Sequence, residues 1–220
     1  MALPHSTDIY RYPARFQFGE AGAPCSGSSC CTDTCIKMIE EYYKERTHSL
    51  AAIRRIAQAR TSFNEAPCTG INHVEALNAL HSLGLSHYKV GFGVSAAQVW
   101  NYVAIGPVLV GIYYGSYPNE HGRCGSIKAE LSGRTDCGFS GTHAILAIGR
   151  RNHIVGGKVV HRDFDMRDPN HHSAARPETP AYDRITYGQL DKAMRDIVPK
   201  TIFTSTYIIY PTRKKNLASL

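Results

Sequence analysis

The stretch that decides the fold runs from Cys30 to Tyr43 and reads Cys-Cys-Thr-Asp-Thr-Cys-Ile-Lys-Met-Ile-Glu-Glu-Tyr-Tyr. Its apolar and sulfur-containing side chains recur at the spacing of one helical face: Cys31, Cys35, Met38, Ile39 and Tyr42. Residues 19–29, just before it, are too rich in Gly and Ser to be helical. We therefore expect Cys30 or Cys31 where a loop becomes a buried helix, and the helix dipole there favours a thiolate. Such a thiol can act as a nucleophile, although packing or cross-linking is the other interpretation of these cysteines.

Composition favours one domain with a sizeable core, since the chain has 220 residues and is 43% hydrophobic. No run of 18 apolar residues occurs, so we expect no membrane span. The N-terminus has neither a basic start nor an apolar segment, so we expect no classical signal peptide and synthesis in the cytoplasm. The net charge of +7 and the pI near 9.1 favour an anionic polymer or a larger assembly as partner. That charge is scattered, and the sequence has no specific nucleic-acid motif.

The cysteines allow more than one redox state. Seven are present, at positions 25, 30, 31, 35, 68, 124 and 137. They form no CxxC pair, so a zinc ribbon is not expected. The odd number suits up to three disulfides and one reactive thiol, but it equally suits seven reduced thiols. A bond between Cys124 and Cys137 would restrain the long polar loop 115–141, which is typical of a lid or a specificity loop.

The first half of the domain reads as helical. After the helix from about residue 32 to 44, a second is predicted over 50–59, capped by Ser49. A third begins at the capping box of Asn72 and Glu75 and ends at Gly84. Its predicted inner face comprises Val74, Leu77, Leu80 and His81. A fourth, 96–103, opens with the box of Ser95 and Gln98 and turns Trp100 inward.

The second half changes to strands. Residues 107–114, 142–149 and 158–168 are rich in β-branched and aromatic residues, and Gly156-Gly157 joins the last two as a hairpin. A helix from 186 to about 197 and a strand over 201–210 follow. Helices first and a mostly antiparallel sheet afterwards indicate the α+β class. We divide the chain into an N-terminal arm (1–24), one domain (25–212) and a basic tail (213–220).

Three residues with complementary chemistry occur in a meaningful order: Cys31 at a helix start, His143 at a strand start and Asp168 at the end of the next strand. A cysteine nucleophile needs a base, and the base needs a group that holds its ring. Because neighbouring antiparallel strands run side by side, the hairpin could bring His143 and Asp168 together.

These motifs resemble the papain-like cysteine peptidases of the bacteriocin-leader (double-glycine) branch. Cys31 with Met38 and Tyr42-Tyr43 is similar to that family's nucleophile helix, and residues 141–149 resemble its histidine motif. Asp168-Pro169 and residues 106–110 are similar to two further motifs. The resemblance covers about residues 25–170 and implies a papain-like fold: an N-terminal helical part packed on an antiparallel sheet.

By this resemblance Cys31 is the nucleophile, His143 the general base and acid, and Asp168 the group that orients the imidazole. The +7 and +11 spacings select Cys31 over its neighbour Cys30. The family has an oxyanion-hole Gln six residues before its nucleophile, where this chain has Cys25. A thiol is a poor substitute for an amide donor, so Gln17, Ser28 or Ser29 are the candidate replacements. Thr32 stands where the family has a small Gly.

The predicted function is that of a cysteine peptidase that cleaves peptide amide bonds through a thioacyl intermediate, with no cofactor. Leader peptides and peptidoglycan peptides are the substrates that the resemblance suggests. The alternative is a peptidase-like structural or targeting module of a larger assembly, such as a phage particle. Acyl transfer to an amine is a third option.

Two other kinds of site are less favoured by the sequence. A metal site could use the histidines at 153, 161, 171 and 172 with Asp163 or Asp165, but there is no HExxH motif. A nucleotide site lacks both GxxxxGK[ST] and GxGxxG.

Overall fold

A computed structural model describes residues 30–44, 47–59, 70–113, 142–169, 183–200 and 205–214. The predicted N-terminal arm lies outside this part of the chain, as do the oxyanion candidates Gln17, Ser28 and Ser29. The loops 115–141 and 170–182 and the end of the basic tail also lie outside it. The predicted division into arm, domain and tail therefore stays a prediction.

The described residues form helices and strands in a mixed order. The helices are α1 (Cys31–Tyr43), α2 (Leu50–Gln58), α3 (His73–Ser82), α4 (Ala96–Tyr102), α5 (Tyr187–Arg195) and α6 (Ile197–Lys200). The strands are β1 (Tyr88–Phe92), β2 (Val108–Tyr113), β3 (Thr142–Val155), β4 (Lys158–Arg167), β5 (Asp183–Thr186) and β6 (Tyr207–Pro211). All of these strands belong to one antiparallel sheet of order β1-β6-β2-β3-β4-β5.

The sheet separates two apolar clusters, because successive strand residues point to opposite faces. On β2, Leu109 packs with residues of α1, α2 and α3, whereas Val108 and Val110 pack with residues of α4 and α5. On β6, Ile209 joins the first cluster and Ile208 the second. The prediction of helices packed on an antiparallel sheet is confirmed, and α4 and α5 add a second helical layer.

Helix α1 lies at the centre of the first layer, and all its residues from Thr32 to Glu40 are buried. Three of these side chains are charged, and each has a polar partner. Asp33 binds Arg54, and Glu40 accepts hydrogen bonds from the backbone N–H of His48 and from that residue's ring. Lys37 donates to the His48 carbonyl. Because buried charges need such partners, α1 is tied to the segment that leads into α2 and to α2 itself.

Local sequence signals place most element boundaries. Ser49 accepts a hydrogen bond from the Ala52 N–H, and Asn72 and Glu75 form the predicted capping box. Gly84 follows α3 with a φ of 78°, and the hairpin turn uses Gly156 and Gly157, both at positive φ. These helix starts and the β3–β4 hairpin are confirmed.

Several details of the sequence interpretation are wrong. The inner face of α3 consists of Glu75, Ala76, Ala79 and Leu80, whereas Val74 and His81 are exposed. The His81 ring instead reaches the Tyr88 carbonyl, at 2.8 Å from Nε2. In the described residues the last strand begins at Tyr207, and the predicted start at 201 lies outside them. The sequence did not predict the edge strands β1 and β5. Among the described residues, no helix is long and apolar enough to cross a membrane.

Candidate active site

The first residue of α1 is Cys31, and the residue that caps the helix is Cys30. The Cys30 carbonyl accepts hydrogen bonds from the Thr34 N–H at 2.8 Å and from the Thr34 hydroxyl at 2.7 Å. The Cys30 side chain makes no capping hydrogen bond, so it does not occupy the first N–H groups of the helix. Cys30, Cys31 and Cys35 are thiols and not disulfide partners. Cys30 and Cys35 are buried, and Cys31 is partly exposed.

A buried ion pair fixes the start of α1. The Arg54 guanidinium donates to Asp33 through two nitrogens, Nε to Oδ1 at 2.9 Å and Nη2 to Oδ2 at 2.7 Å. This bidentate geometry is the one in which an arginine and a carboxylate bind most directionally. Arg54 Nη2 also lies 3.7 Å from the Cys30 sulfur. The contacts of Arg54 with Asp33 and Cys30 therefore hold the start of α1 against α2.

One turn further along α1, Cys35 fixes the helix against the sheet. Its thiol lies 3.5 Å from the carbonyl oxygen of Ala144, the residue directly after His143.

The Tyr207 ring packs over Gly111, where a Cβ atom would lie 2.3 Å from the ring. Only glycine leaves room for the ring at this position. The Tyr207 ring belongs to the same buried cluster as Cys35, and Cys31 packs against that cluster. Burial, followed by the charges of these two thiols, raises the pKa of Tyr207.

His143 and Asp168 meet where two neighbouring strands come together. His143 is the second residue of β3, and Asp168 directly follows the end of β4. His143 Nε2 lies 2.7 Å from Asp168 Oδ1, and both side chains are almost completely buried. Because Nε2 is engaged by the carboxylate, Nδ1 is the ring nitrogen left to bond the Cys31 thiol. Asp168 therefore sets the orientation and the tautomer of the imidazole.

The pKa of the Cys31 thiol reflects its contact with His143. Burial by itself raises this pKa. The hydrogen bond with His143, the charge of that imidazole, the Ala144 backbone and the Thr32 side chain together outweigh burial, and the pKa falls below its ordinary value. A lowered pKa is what distinguishes a reactive cysteine from a packed one.

The pKa of the His143 imidazole shifts in the opposite direction, upwards. Burial lowers the pKa of His143, but the charge and hydrogen bond of Asp168, followed by those of Cys31, raise it to about 10. Burial and the charges of Cys31, Asp168 and Asp33 raise the pKa of Cys35 well above its ordinary value. Of these two thiols on α1, Cys31 is therefore the one that the surroundings ionise.

The structure thus brings together Cys31, His143 and Asp168, three residues that the sequence singled out. Thr32, which stands where the family with similar motifs has glycine, is buried with its hydroxyl 4.0 Å from the Cys31 sulfur. The oxyanion candidates Gln17 and Ser29 lie outside the described residues, so their assignment stays a prediction.

Sequence reasoning missed the residues that hold this arrangement in place. Asp33 is an acidic residue in the first turn of a helix, a pattern that ordinarily indicates a solvent-exposed favourable charge. Arg54 is charged and lies on the otherwise apolar side of α2. The position of the Arg54 charge beside the predicted apolar stripe of α2 was the one signal in the sequence that could have indicated a buried ion pair.

Comparison with solved structures finds proteins with a similar fold. No protein-family model matches the chain, and no curated protein matches it either. A crystal structure described as a "putative C39-like peptidase" from Bacillus anthracis has a similar fold, with a TM-score of 0.53 and 14% sequence identity. The match covers 93% of this chain and 96% of that one. At this identity the likeness is one of fold: the described helices and antiparallel sheet match the fold of that structure.

Proposed function

We propose that this protein is a cysteine peptidase in which Cys31 is the nucleophile, His143 the general acid and base, and Asp168 the orienting residue. The observation that carries the proposal is the hydrogen-bonded series from the Cys31 thiol through the His143 ring to Asp168, with 2.7 Å between the last two. The likeness in fold to a C39-like peptidase supports the same class of reaction, since that structure bears the name of a peptidase.

In the first half of the reaction the thiolate of Cys31 attacks the carbonyl carbon of a peptide bond. The tetrahedral intermediate carries a negative charge on the former carbonyl oxygen. Cys31 is the first residue of α1, whose first N–H groups have no side-chain cap from Cys30. These N–H groups and the positive end of the helix dipole would stabilise the anion. Protonated His143 gives its proton to the leaving amine, the C–N bond breaks, and the thioacyl intermediate remains.

In the second half His143, now neutral, accepts a proton from water, and the resulting hydroxide attacks the thioester carbonyl. The C–S bond breaks, the carboxylic acid product leaves, and the thiolate of Cys31 is restored beside the protonated imidazole. Asp168 keeps the ring in the required orientation through both halves and stabilises its positive charge. The same intermediate would give a transamidation if an amine replaced the water.

A peptide-cleavage experiment tests the proposal without knowledge of the natural substrate. The reduced protein is incubated with a proteome-derived peptide library, and new peptide termini are identified by mass spectrometry. We expect cleavage by the unmodified protein and by Cys30→Ala, and none by Cys31→Ala or His143→Ala. Circular dichroism spectra establish that all the variants are folded.

Two outcomes would contradict the proposal. Loss of cleavage in Cys30→Ala with retention in Cys31→Ala would move the nucleophile by one residue. Absence of cleavage by the folded unmodified protein, with an unreactive Cys31, would favour the alternative of a peptidase-like module in a larger assembly. Analysis of the products in the presence of added amines separates hydrolysis from transfer.

A further inference from the structure

The free end of the β3–β4 hairpin carries a second group of chemically suited side chains. β5 pairs with β4 only between Asp163 and Met166, so beyond Asp163 the described part of the hairpin consists of its two strands alone. His153 on β3 lies opposite His161 on β4, and Asp163 lies two residues further along β4. Residues two apart on a strand share a face, so all three side chains point to the same side of the hairpin.

Their donor atoms converge on one point. His153 Nε2 lies 2.7 Å and His161 Nε2 3.6 Å from Asp163 Oδ2. The two imidazole rings stack with their centroids 3.8 Å apart and their planes at 16°. One ligand atom from each residue lies within 4.8 Å of the other two.

These distances suit a small tetrahedral metal ion. Zinc binds imidazole nitrogen and carboxylate oxygen at about 2.0–2.2 Å, which in a tetrahedron separates neighbouring ligand atoms by about 3.3–3.6 Å. The separation between His161 and Asp163 lies at the upper end of this range. The separation between His153 and Asp163 is that of a hydrogen bond and would lengthen when an ion binds. The histidine rings can supply the remaining adjustment, because 37% of the His153 side chain and 50% of the His161 side chain are exposed.

The carboxylate is the fixed member of the group. Asp163 is buried, and its Oδ1 has no hydrogen-bond partner among the described residues, so the second oxygen is also available to an ion. The neighbouring cation, Arg151, is neutralised by a separate contact, with its Nε 3.0 Å from Asp165 Oδ2. Two imidazoles and one carboxylate are donors that favour zinc and similar transition metals over calcium or magnesium, which prefer oxygen ligands.

We propose that His153, His161 and Asp163 form a binding site for a divalent transition metal of the zinc class. Three protein ligands leave one coordination position for water or for a donor from another molecule. The bound ion would join β3 to β4 at the free end of the hairpin. The site is separate from Cys31, His143 and Asp168, and the proposal does not depend on the proposed peptidase function.

Cobalt(II) and zinc(II) are the probes for the test. The experiment uses the full chain with the Cys31→Ser change and with reductant, so that the proposed active-site thiol cannot bind the ion. Cobalt absorption in the visible range and zinc titration by calorimetry are compared between this protein and the additional double change His153→Ala/His161→Ala. His81→Gln is the matched control, because His81 is also an exposed histidine but lies on α3.

We expect the control to bind the metal as the parent does. The double change should abolish one metal site per chain or weaken its affinity by at least about tenfold. Tenfold is the smallest effect usual for residues around a bound metal. Equal stoichiometry and affinity in the parent and the doubly changed protein would overturn the proposal. Imidazole NMR signals of the parent provide a second measurement that needs no change in the hairpin. Zinc must shift the signals of His153 and His161, and unshifted signals would overturn the proposal as well.

Discussion

The opposite pKa shifts of Cys31 and His143 predict an unusual dependence of stability on pH. The perturbation is Cys31→Ser, which removes the thiol and leaves the His143–Asp168 hydrogen bond in place. The measured quantity is the free energy of unfolding in urea, between about pH 6.5 and 9. The change in proton binding on unfolding determines how this free energy varies with pH.

His143 and Cys31 change the free energy of unfolding with pH in opposite directions. The pKa of His143 is raised from 6.5 to about 10, so its stabilising contribution is complete below pH 6.5 and is lost as the pH rises towards 10. The pKa of Cys31 is lowered from 9.0, so its contribution is complete above pH 9.0 and is lost as the pH falls through the lowered pKa. At any pH that is above both that lowered pKa and 6.5 but below 9.0, the folded pair holds one proton on His143, and the unfolded chain holds one on Cys31. The folded and unfolded states then bind the same number of protons at these two residues, so the pair does not make the free energy of unfolding depend on pH.

Removing the thiol removes this cancellation. In Cys31→Ser the folded protein still holds the His143 proton, because Asp168 is the first of the groups that raise its pKa. The unfolded chain releases that proton, so the free energy of unfolding falls relative to that of the unmodified protein by about 1.4 kcal/mol per pH unit in the part of the window that lies above the lowered pKa of Cys31. His143→Gln is the matched control. Without the imidazole, burial, the largest cause, raises the pKa of Cys31, and only the Ala144 backbone and the Thr32 side chain still oppose it. We therefore expect the thiol to stay protonated below pH 9.0, so that neither position titrates there and the pH dependence equals that of the unmodified protein.

The assay is a series of urea unfolding curves, with reductant present and the same m-value required for all three proteins. Other titrating groups contribute equally to each curve, so the difference between proteins isolates the pair. Parallel pH dependences of the unmodified protein and Cys31→Ser across the whole window would refute the reasoning. They would mean that Cys31 is a neutral thiol when His143 is protonated.

Three further predictions concern single side chains. Iodoacetamide at pH 6, where an ordinary thiol is only about 0.3% ionised, should alkylate Cys31, as mapped by mass spectrometry. Gly111→Ala should lower the free energy of unfolding by about 1–3 kcal/mol, because the new methyl group overlaps the Tyr207 ring, and unchanged urea curves would contradict this. Arg54→Met should cost about 3–5 kcal/mol by leaving the Asp33 carboxylate buried without its cation, and adding Asp33→Leu should recover much of the loss.

Local signals explain why much of the fold could be predicted from the sequence. A helix start such as Asn72 with Glu75 depends on residues three apart, and a turn such as Gly156-Gly157 depends on two adjacent residues. The edge strands β1 and β5 have 5 and 4 residues and form beside partners that are distant in the sequence. Their pairing comes from the sheet and not from their own pattern, so sequence reasoning could not find them.

The candidate site was predictable to the extent that it depends on order along the chain. A cysteine at a helix start, a histidine at a strand start and an aspartate at a strand end are visible as residues. The buried Arg54–Asp33 pair and the packing of Tyr207 on Gly111 are not, because each needs two elements to meet in space. The residues that carry the chemistry were therefore easier to identify than those that hold them in place.

The register of the β3–β4 hairpin shows how both candidate sites depend on irregularities that no local signal indicates. From the two-glycine turn, regular pairing would place His153 opposite Val160, with His161 on the other face. The observed pairing of His153 with His161 requires one extra residue on β4, a β-bulge that brings both imidazoles to the face of Asp163.

A second bulge, with the extra residue Ile148 on β3, reverses this shift. Leu146 then pairs with Arg167, as regular pairing from the turn would give. Had the second bulge been absent, every β4 residue near the triad would have moved by one position relative to β3, and a shift of one residue turns a side chain to the opposite face. Asp168 therefore reaches His143 because the register shifts of the two bulges cancel. The same pair of strands then carries one candidate site at each end.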